Sequence, residues 1–315
     1  MSGAHAIDVA VVGKANVDYL VRGPRLPRPG MSVNGDVFHE APGGKGANQA
    51  VAAARLGARA ALLARVGPDS RGDAVIASLR AEGVDARHVL RDPLAPTGVA
   101  LCQVGADGEK QILSAAGANA RLCAEDCLRA ADLITSARVL LVQTGVPLAA
   151  VSEAIRLARG AGARVVLDCG PAQDLPDALL AQVFLVRANA MEARAITGIE
   201  VNDRESGRAA ARALLGRGAA HALVQAGEHG DVLLGDGGEV WLPRFKVARV
   251  DATGAGDAFS AAMAVYIAEG RAPREAAPFA SAAAALATTA LGAQAGLPRR
   301  TAVLALLSAQ PAPPV

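Results

Sequence analysis

The sequence predicts an α/β fold of three layers, in which a mostly parallel central sheet is covered by helices on both faces and a small β-sheet lid is added. The first observation behind this prediction is that short apolar runs typical of buried strands alternate with longer helical patterns along most of the 315 residues. The second is that residues 31–40 and 97–113 alternate apolar and polar side chains, as strands with one solvated face do.

The predicted strands of the body are rich in Val, Leu and Ala, which is typical of strands buried on both faces. They are Val9–Val12, Ala60–Ala64, Val139–Val142, Val165–Leu167, Phe184–Val186 and Leu223–Gln225. The helices predicted between them are Lys45–Leu56, Asp73–Glu82, Leu148–Arg159, Glu192–Ile196 and Glu205–Leu215. Glycine often closes a helix, and we expect four of these helices to end at Gly57, Gly83, Gly160 and Gly216.

The two alternating segments are expected to pair into a small separate sheet. The second contains a hairpin signal, Gly105-Ala106-Asp107-Gly108, between two strand-like runs. We therefore predict a single domain of residues 1–315, in which about 15–42 and 96–117 form an inserted lid. The tail, residues 310–315, is rich in proline and is expected to be frayed.

Composition excludes several classes of protein. With 52% apolar and 20% charged residues, the chain can bury a large core, so it is neither disordered nor a disulfide-stapled miniprotein. Its 32 basic and 30 acidic residues give a net charge of +2, which does not indicate a charged surface that binds nucleic acid or membrane. Any anionic ligand is therefore expected to be held locally, by backbone N–H groups, a helix terminus and metal ions, without a basic surface.

Cysteine usage and hydropathy indicate a cytoplasmic protein. Cys102, Cys123, Cys127 and Cys169 lack the paired spacing of a metal site and are expected to be reduced, mostly buried thiols. The N-terminus shows no signal-peptide pattern. The apolar stretch 276–292 is Ala-rich and short, so we expect a buried core helix there, not a membrane span.

The most informative motif is Asp251-Ala-Thr-Gly-Ala-Gly-Asp257, followed by apolar residues at helical spacing. A glycine-rich turn before a helix N-terminus is suited to phosphate oxygens. Asp257 in the first turn has two interpretations. It is either a carboxylate that stabilises the helix start, or a base that accepts the proton of an attacking hydroxyl while the N–H groups receive a phosphoryl group.

Two common nucleotide motifs are absent. A P-loop needs Gly-Lys followed by Ser or Thr, but Ala15 follows Lys14 and Gly46 follows Lys45. A dinucleotide fingerprint needs a third glycine where Phe259 follows the Gly-Ala-Gly turn, which makes a Rossmann dehydrogenase a poor fit.

A second glycine-rich cluster, residues 42–48, enters a helix of small residues and contains Lys45 and Asn48. It is either an ordinary loop with Asn in the first helical turn or a ligand loop that permits close backbone approach. Upstream, Asn16 and Asp18 follow the first predicted strand. Their side chains suit sugar hydroxyls, and their position is where α/β sheets bind ligands.

A third motif is Asn189-Ala-Met-Glu192. Its spacing is that of a capping box, which is the favoured interpretation for the motif alone. The alternative is that both side chains face a hydrated Mg²⁺ on a nucleotide. The turn 225–230, after another predicted strand, is either a nucleotide shelf or an ordinary loop.

In their order along the chain, these motifs resemble the ribokinase/PfkB family of carbohydrate kinases. The resemblance also includes Thr97-Gly98-Val99-Ala100 and Gly117-Ala118-Asn119, and it runs from about residue 7 to 307. It implies the ribokinase-like fold, a sugar kinase that uses ATP and Mg²⁺, activation by K⁺, and a homodimer formed through the lid.

The resemblance also implies roles for individual residues. Asp257 would be the catalytic base, and Gly254, Ala255 and Gly256 would form the anion hole. The implied sugar contacts are Asn16, Asp18, Gly44, Lys45, Asn48 and Asp257. The implied ATP contacts are Asn189, Gln225, Gly227, Gly230, Gly256 and Ser281. Mg²⁺ would be held near Asn189 and Glu192, and K⁺ by Asp251 and Thr253 with backbone carbonyls near Ala287, Ala290, Gly292 and Gly296.

Two positions depart from the family pattern. Gly145 stands where ribokinases usually carry a sugar-contacting Glu, which would cost about 1.5 to 3 kcal/mol of binding with ribose. Either water fills the gap or the substrate is larger or differently substituted there. Ala190 replaces an acid between Asn189 and Glu192, which removes charge near the implied Mg²⁺.

The function that the resemblance implies is transfer of the γ-phosphate of ATP to the 5-hydroxyl of D-ribose, giving D-ribose 5-phosphate. Gly145 keeps other acceptors open, namely deoxyribose, another sugar or a nucleoside. A non-catalytic sugar-binding regulator on the same fold is the competing class. We expect the helix N-terminus to lower the pKa of Asp257 and make it a weak base, which suits a loose transition state.

Overall fold

The computed structural model describes residues 6–106, 109–227, 230–242 and 244–310. The predicted hairpin residues 107–108, part of the turn 225–230 and the tail from residue 311 lie outside these ranges. The described strands are β1 Ile7–Val12, β2 Asn16–Gly23, β3 Val37–Gly43, β4 Ala60–Val66, β5 Val89–Arg91, β6 Gly98–Gly105, β7 Lys110–Ala115, β8 Ala137–Gln143, β9 Arg164–Asp168, β10 Leu185–Ala188, β11 His221–Gln225, β12 Asp231–Gly235 and β13 Gly238–Leu242.

The described α-helices pack around these strands, together with a short 3₁₀ helix at Gly117–Arg121. They are α1 Lys45–Arg55, α2 Ser70–Ala81, α3 Ala124–Arg129, α4 Ala131–Thr135, α5 Leu148–Gly160, α6 Asp177–Leu180, α7 Ala190–Thr197, α8 Arg204–Gly216, α9 Ala255–Ala268, α10 Pro273–Ala287 and α11 Arg300–Ala309. Within the described ranges, every helix is too short or too polar to cross a membrane.

A nine-stranded sheet forms the centre of the molecule, in the order β13-β12-β11-β10-β9-β8-β1-β4-β5. Seven neighbouring strands run parallel, and β12 and β13 add an antiparallel edge. Val9 and Val11 of β1 pack on one face with α1, α9 and α10, while Ala10 and Val12 pack on the other face with α5 and α8. This alternation under two helical layers confirms the predicted α/β fold.

All six strands predicted for the body are present within a residue or two of their expected ends. Sequence reasoning missed β5, β12 and β13 at the edges of the sheet. These strands are short and, in β12 and β13, interrupted by glycines and acids, so their apolar runs are weak.

The second sheet has four strands in the order β3-β2-β6-β7, with β2 and β6 parallel at its centre. It confirms the predicted separate sheet, but residues 31–36 of the first alternating segment lie outside any strand. Asn16 and Asp18 lie inside β2, a strand that was not predicted from the sequence. Asn16 pairs with Gly43 and Gly98, so the glycines of two flanking strands approach it closely. The boundaries of about 15–42 and 96–117 for an inserted lid stay a prediction.

Helix ends differ from prediction in three places. Gly57 and Gly83 have positive φ just beyond α1 and α2, as expected. Gly160 and Gly216 are instead the last helical residues of α5 and α8, and the left-handed residues are glycines two positions later. The predicted helix 276–292 is α10, which ends at residue 287 because the chain turns there towards the glycine-rich 254 loop.

Candidate active site

A cavity of about 710 Å³ lies between the carboxyl ends of the central strands and the small sheet. Its floor includes the residues that follow β1 and β10, and its roof includes Ala100, Ile112 and Ser114 of β6 and β7. Most of the residues implied by sequence line it, namely Asn16, Asp18, Gly44, Lys45, Asn48, Asn189, Gln225, Thr253, Gly254, Ala255, Gly256, Asp257 and Ser281. Those outside its lining are Glu192, Gly227, Gly230, Asp251, Ala287, Ala290, Gly292 and Gly296.

The lining of this cavity is strongly basic, which corrects the expectation that an anionic ligand would be held without basic side chains. Among the described residues its cations are Lys14, Lys45, Lys110, Arg187, Arg244, Lys246 and Arg249, and its anions are Asp18, Asp231 and Asp257. A near-zero net charge averages over the whole chain and therefore hides a local excess of positive charge. The cavity is suited to a polyanionic ligand.

The N-terminus of α9 forms one wall of the cavity. Gly254 precedes it with φ of 84°, a backbone conformation that favours glycine. A Cβ at this position would also lie 2.7 Å from the carbonyl oxygen of Ala293, so there is no space for a side chain. The first-turn N–H groups of a helix lack partners within it. Ala255 N–H reaches back to the carbonyl of Ala252 at 3.3 Å, while the turn as a whole faces the cavity. The predicted anion hole therefore has the required backbone form.

Asp257 lies in that first turn and is only 6% exposed. Its two carboxylate oxygens accept hydrogen bonds from Asn48 Nδ2 at 2.9 Å and from Gln49 Nε2 at 3.3 Å. Burial raises the pKa of Asp257 above its usual value, against the attraction of the Lys45 ammonium. The expectation of a lowered pKa was therefore wrong, because removal from water outweighs the favourable charges around the group.

Behind Asp257 lies a buried polar network that sequence reasoning missed. Asp168, at the end of β9, accepts hydrogen bonds from Gln49 Nε2 at 3.1 Å and Ser260 Oγ at 2.8 Å and pairs with Lys45 Nζ at 3.2 Å. Gln143, at the end of β8, donates a hydrogen bond from Nε2 to the side-chain oxygen Oε1 of Gln49 at 2.8 Å. Burial acts to raise the pKa of Asp168, but Lys45 and a buried arginine hold it below its usual range. The signal in the sequence that could have identified Asp168 and Gln143 is that each is a polar residue directly after a predicted apolar strand.

That arginine is Arg187 of β10, which sequence reasoning also missed. It is 4% exposed, lines the cavity and lies 3.5 Å from Asp168 and 3.6 Å from Glu192. It also donates to Gln225 Oε1, and its Nε atom is buried without a partner among the described residues. A Cβ on Gly256 would lie 2.8 Å from its guanidinium, so the charge stands directly against the glycine-rich turn. A fixed cation there adds to the anion-binding character of the turn.

Asn189 and Glu192 form the capping box that the motif alone favoured. Asn189 Oδ1 accepts from the Glu192 N–H at 2.9 Å, and Glu192 Oε2 accepts from the Asn189 N–H at 2.8 Å. Only Asn189 faces the cavity, while Glu192 lies behind it beside Lys45 and Arg187. Because both side chains are already hydrogen-bonded, this donor set fits a hydrated divalent cation held through water and not one coordinated directly.

Asp251 and Thr253 organise the loop that leads to α9. Asp251 Oδ1 accepts from the Thr253 N–H at 2.9 Å and its hydroxyl at 2.8 Å, and Oδ2 accepts from the Gly292 N–H at 3.0 Å. The carbonyl oxygen of Ala287 would lie 2.1 Å from a Cβ on Gly296, so the chain returns tightly on itself here. Asp251, Thr253 and Gly292 therefore lie together beside the turn that begins α9, and Ala287 lies against Gly296.

Asn16 and Asp18 face the cavity from β2. Asn16 Oδ1 accepts a hydrogen bond from Asn119 Nδ2 at 2.8 Å, and Asn119 in turn holds the Ala15 N–H at 2.8 Å. Burial raises the pKa of Asp18 to about 6, opposed by the nearby Lys14 ammonium. The carbonyl and carboxylate oxygens at this end of the cavity offer acceptors for hydroxyl groups.

At the other end of the cavity, Gln225 closes β11 and Ser281 lies on α10 beside Ala284 and Ala285. Gly227 and Gly230 have positive φ in the turn that follows β11. The four cysteines are all free, and three of them are buried, as expected.

Comparison with known proteins agrees with this geometry. The family model for "pfkB family carbohydrate kinase" matches residues 6–300. A ribokinase of Haemophilus influenzae is 35% identical over 299 residues, covering 95% of this chain and 98% of that protein. A deoxyribokinase of Salmonella typhi is 35% identical over 261 residues, covering 82% and 85%. The structure of Arabidopsis thaliana ribokinase complexed with ribose and ATP superposes with a TM-score of 0.86 at 31% identity, covering 96% and 99%.

The family model spans residues 6–300, and the relatives cover most of this chain. The glycine-rich start of α9 with its buried carboxylate, Asp257, agrees with both. The chain belongs to the pfkB family of carbohydrate kinases.

Proposed function

We propose that this protein transfers the γ-phosphate of ATP to the primary 5-hydroxyl of D-ribose, giving D-ribose 5-phosphate. The observation that carries the proposal is the buried carboxylate of Asp257, held by Asn48 and Gln49 at the first turn of α9, in a cavity with a basic lining. It is supported by the ribokinase relatives and by the ribose and ATP bound to the Arabidopsis protein.

The residues divide into an acceptor end and a nucleotide end. At the acceptor end, Asn16, Asp18 and Gly44 supply hydrogen-bonding groups for the sugar, and Lys45 and Asn48 complete this set near Asp257. At the nucleotide end, Gln225, Gly227, Gly230 and Ser281 hold the base and ribose of ATP, and Asn189 borders its phosphates. The transferring phosphoryl group then lies between the two, against Gly254, Ala255 and Gly256.

Asp257 acts as the base in this scheme. It accepts the proton of the sugar hydroxyl as the bond from that oxygen to the γ-phosphorus forms and the bond to ADP breaks. Its raised pKa makes it a stronger base than an ordinary carboxylate. Because Asn48 and Gln49 fix both oxygens, the carboxylate is oriented before the sugar arrives.

Arg187 extends the scheme beyond the residues implied by sequence. Its guanidinium is fixed by Asp168 and Glu192 and stands against Gly256, next to the place of the transferring phosphoryl group. Charge that spreads over the equatorial phosphoryl oxygens is stabilised by a preorganised cation that needs no rearrangement. We propose that Arg187 binds the γ-phosphate.

Two metal ions belong to the proposal. Asn189 and Glu192 would hold a hydrated Mg²⁺, which when bound neutralises charge on the nucleotide phosphates. Asp251 and Thr253, with the carbonyls near Ala287, Ala290, Gly292 and Gly296, would hold K⁺ and so support the electrostatics of the adjoining turn. Asp251 already accepts three hydrogen bonds, so it has one acceptor direction left for an ion.

The small sheet is proposed to act as a lid and as a dimer interface. Its inner face covers the cavity, and Lys110 Nζ of β7 reaches the Thr253 hydroxyl at 3.5 Å. Its outer face exposes Val21, Phe38 and Leu101. Exposed apolar side chains clustered on one face are typical of a protein interface, here with a second copy of the chain. The proposed location is the cytoplasm, where ATP is available and free thiols stay reduced.

Another acceptor is the second candidate, and Gly145 together with the deoxyribokinase relative favours it. The test is a panel of D-ribose, 2-deoxy-D-ribose, other pentoses and hexoses and nucleosides, assayed with ATP and Mg²⁺, with and without K⁺. The highest kcat/KM for D-ribose supports the proposal. A higher value for deoxyribose or a nucleoside replaces the acceptor, and the absence of turnover with every member leaves a non-catalytic sugar-binding protein.

A further inference from the structure

The wall of the acceptor pocket carries a lysine where sequence reasoning found a missing carboxylate. A Cβ built on Gly145 would lie 3.2 Å from Cδ and 3.5 Å from Cε of Lys14, so the Lys14 side chain lies across this glycine. The two residues follow β1 and β8, which are neighbouring strands of the central sheet. A side chain of any size at residue 145 would displace Lys14. The glycine that replaces the family's glutamate at residue 145 therefore leaves the space that the Lys14 side chain occupies.

The Lys14 ammonium lacks a partner within the part of the chain that the structure describes. Over the described residues it makes neither a hydrogen bond nor an ion pair, although it lines the cavity. Burial and the positive charge of Lys45 lower the pKa of Lys14, against the attraction of Asp257 and Asp18. An ammonium withdrawn from water without a counter-ion is unfavourable unless a ligand supplies one. Its backbone is fixed as well, because the Lys14 carbonyl accepts from the Ala47 N–H at 3.2 Å.

Position within the sheet assigns Lys14 to the acceptor and not to ATP. Gln225 ends β11, which is separated from β8 by β10 and β9. At roughly 4.8 Å per strand, the Lys14–Gly145 wall is about 14 Å from the nucleotide end. The phosphates already have another cation, since the Arg187 guanidinium borders the glycine-rich turn of α9. Lys14 instead adjoins Asn16 and Asp18.

We infer that the acceptor pocket takes a sugar acid of pentose length, an aldonate whose carboxylate pairs with Lys14 while its terminal hydroxyl faces Asp257. The inference rests on the proposed sugar kinase activity and extends its acceptor class. In the reaction the terminal hydroxyl oxygen bonds to the γ-phosphorus, the bond from that phosphorus to the bridging oxygen of ADP breaks, and Asp257 takes the hydroxyl proton. The carboxylate of the substrate is unchanged.

The test compares D-ribonate with D-ribonamide, which has nearly the same shape without the charge. For the wild type with ATP and Mg²⁺, kcat/KM for ribonate should exceed that for ribonamide about 10- to 100-fold, as expected for a charged hydrogen bond at a partly buried site. Lys14→Met should abolish this ratio and Lys14→Arg should retain most of it. Arg194→Met is the control, since that cationic side chain is 64% exposed and lies outside the cavity lining, and it should leave the ratio unchanged.

Calorimetric binding of both ligands to the same variants separates this inference from the kinase proposal. If D-ribose is phosphorylated but wild type treats ribonate and ribonamide alike, the sugar kinase stands and the inference is wrong. If no sugar is phosphorylated but ribonate binds in a Lys14-dependent manner, the kinase proposal is wrong, and the inference that Lys14 binds a sugar carboxylate is supported. A preference for ribonate that survives in folded Lys14→Met also overturns the inference, with thermal melting as the check on folding.

Discussion

The side-chain amide of Asn48 donates a hydrogen bond of 2.9 Å to the carboxylate of Asp257 across 209 positions of sequence. Gln294 in turn donates to the Asn48 carbonyl at 3.1 Å, so the amide cannot rotate freely. Asn48 lines the cavity, and its Nδ2 also holds the proposed base. One side chain from α1 thus fixes the direction in which the carboxylate of α9 presents its free lone pairs.

Asp257→Asn should lower kcat about 10²- to 10⁴-fold, because the amide cannot take the hydroxyl proton. Sugar and ATP binding should persist, since the shape of the first turn of α9 is kept. Steady-state kinetics and calorimetry measure the two effects separately. Asp73→Asn is the matched control, because that carboxylate is 67% exposed and pairs with Arg91 on the surface. Unchanged turnover in Asp257→Asn would remove this residue as the base.

Asn48→Ala should shift the pH dependence of kcat/KM. The Asn48 hydrogen bond lowers the pKa of Asp257 and so opposes the effect of burial. Its loss should raise that pKa further, and because the base must be ionised, the acidic limb of the profile should move to higher pH. Initial rates between pH 5 and 9 with saturating ATP measure the limb. A uniform loss of rate with an unmoved limb would mean that Asn48 contacts the sugar only.

Asp18→Asn should stabilise the protein at high pH while weakening sugar binding. Burial raises the pKa of Asp18 from 3.8 to about 6, so the folded state binds this proton more tightly than the unfolded state. The stabilising effect of protonation is complete below the unfolded value and is lost as pH rises through about 6. The variant should therefore melt higher than wild type at pH 8, with the difference shrinking towards pH 4. A constant difference across this range would contradict the assignment.

Arg187→Met should raise the KM for ATP tenfold or more and also lower thermal stability. Removal of one partner of a buried ion pair costs about 3 kcal/mol or more, because Asp168 and Glu192 lose a counter-charge. Arg187→Lys separates the two roles, since it keeps the charge but loses the planar fork that matches phosphate. Arg194→Met is a matched control on a side chain that is 64% exposed. An unchanged KM for ATP in folded Arg187→Lys would place Arg187 in the structural network alone.

Phe38→Asp should convert a dimer into a monomer. Phe38 is 61% exposed on β3, an edge strand of the small sheet, and its ring stacks on Tyr19 with centroids 6.4 Å apart on the outer apolar face. A charge there would be buried without a partner in the proposed interface. Light scattering after size exclusion gives the mass directly. Leu94→Asp, at a side chain that is 77% exposed away from this sheet, should leave the mass unchanged. A wild type that is monomeric at micromolar concentration would refute the proposed dimer.

The sequence predicted the body of the fold and the glycine-rich walls of the site because both depend on local patterns. The strand around Val9–Val12 is a continuous apolar run, and the turn before Asp257 is set by its glycines. It did not predict β2, since Asn16 and Asp18 interrupt the apolar pattern of that strand.

The network behind the base could not be predicted in the same way. Asp168, Gln143 and Arg187 each end or interrupt an apolar strand, and only the order of strands in the sheet brings their side chains to one edge. The hydrogen-bond partners of these residues therefore depend on which strands are neighbours in the sheet, and not on the spacing of residues along the chain. The pKa of Asp257 has the same origin, because its sign depends on how deeply α1 and α9 bury the carboxylate between them.

The long separation between the sugar loop and the base has a consequence for synthesis of the chain. A ribosome makes Gly44, Lys45 and Asn48 more than 200 residues before it makes Asp257, as the spacing of 209 between Asn48 and Asp257 requires. During that interval the growing chain can collapse around its early strands, but it has no base and no anion-binding turn. With Asp257 as the proposed base, an incomplete product that lacks α9 should be unable to consume ATP, and activity should require that α9 has packed against α1.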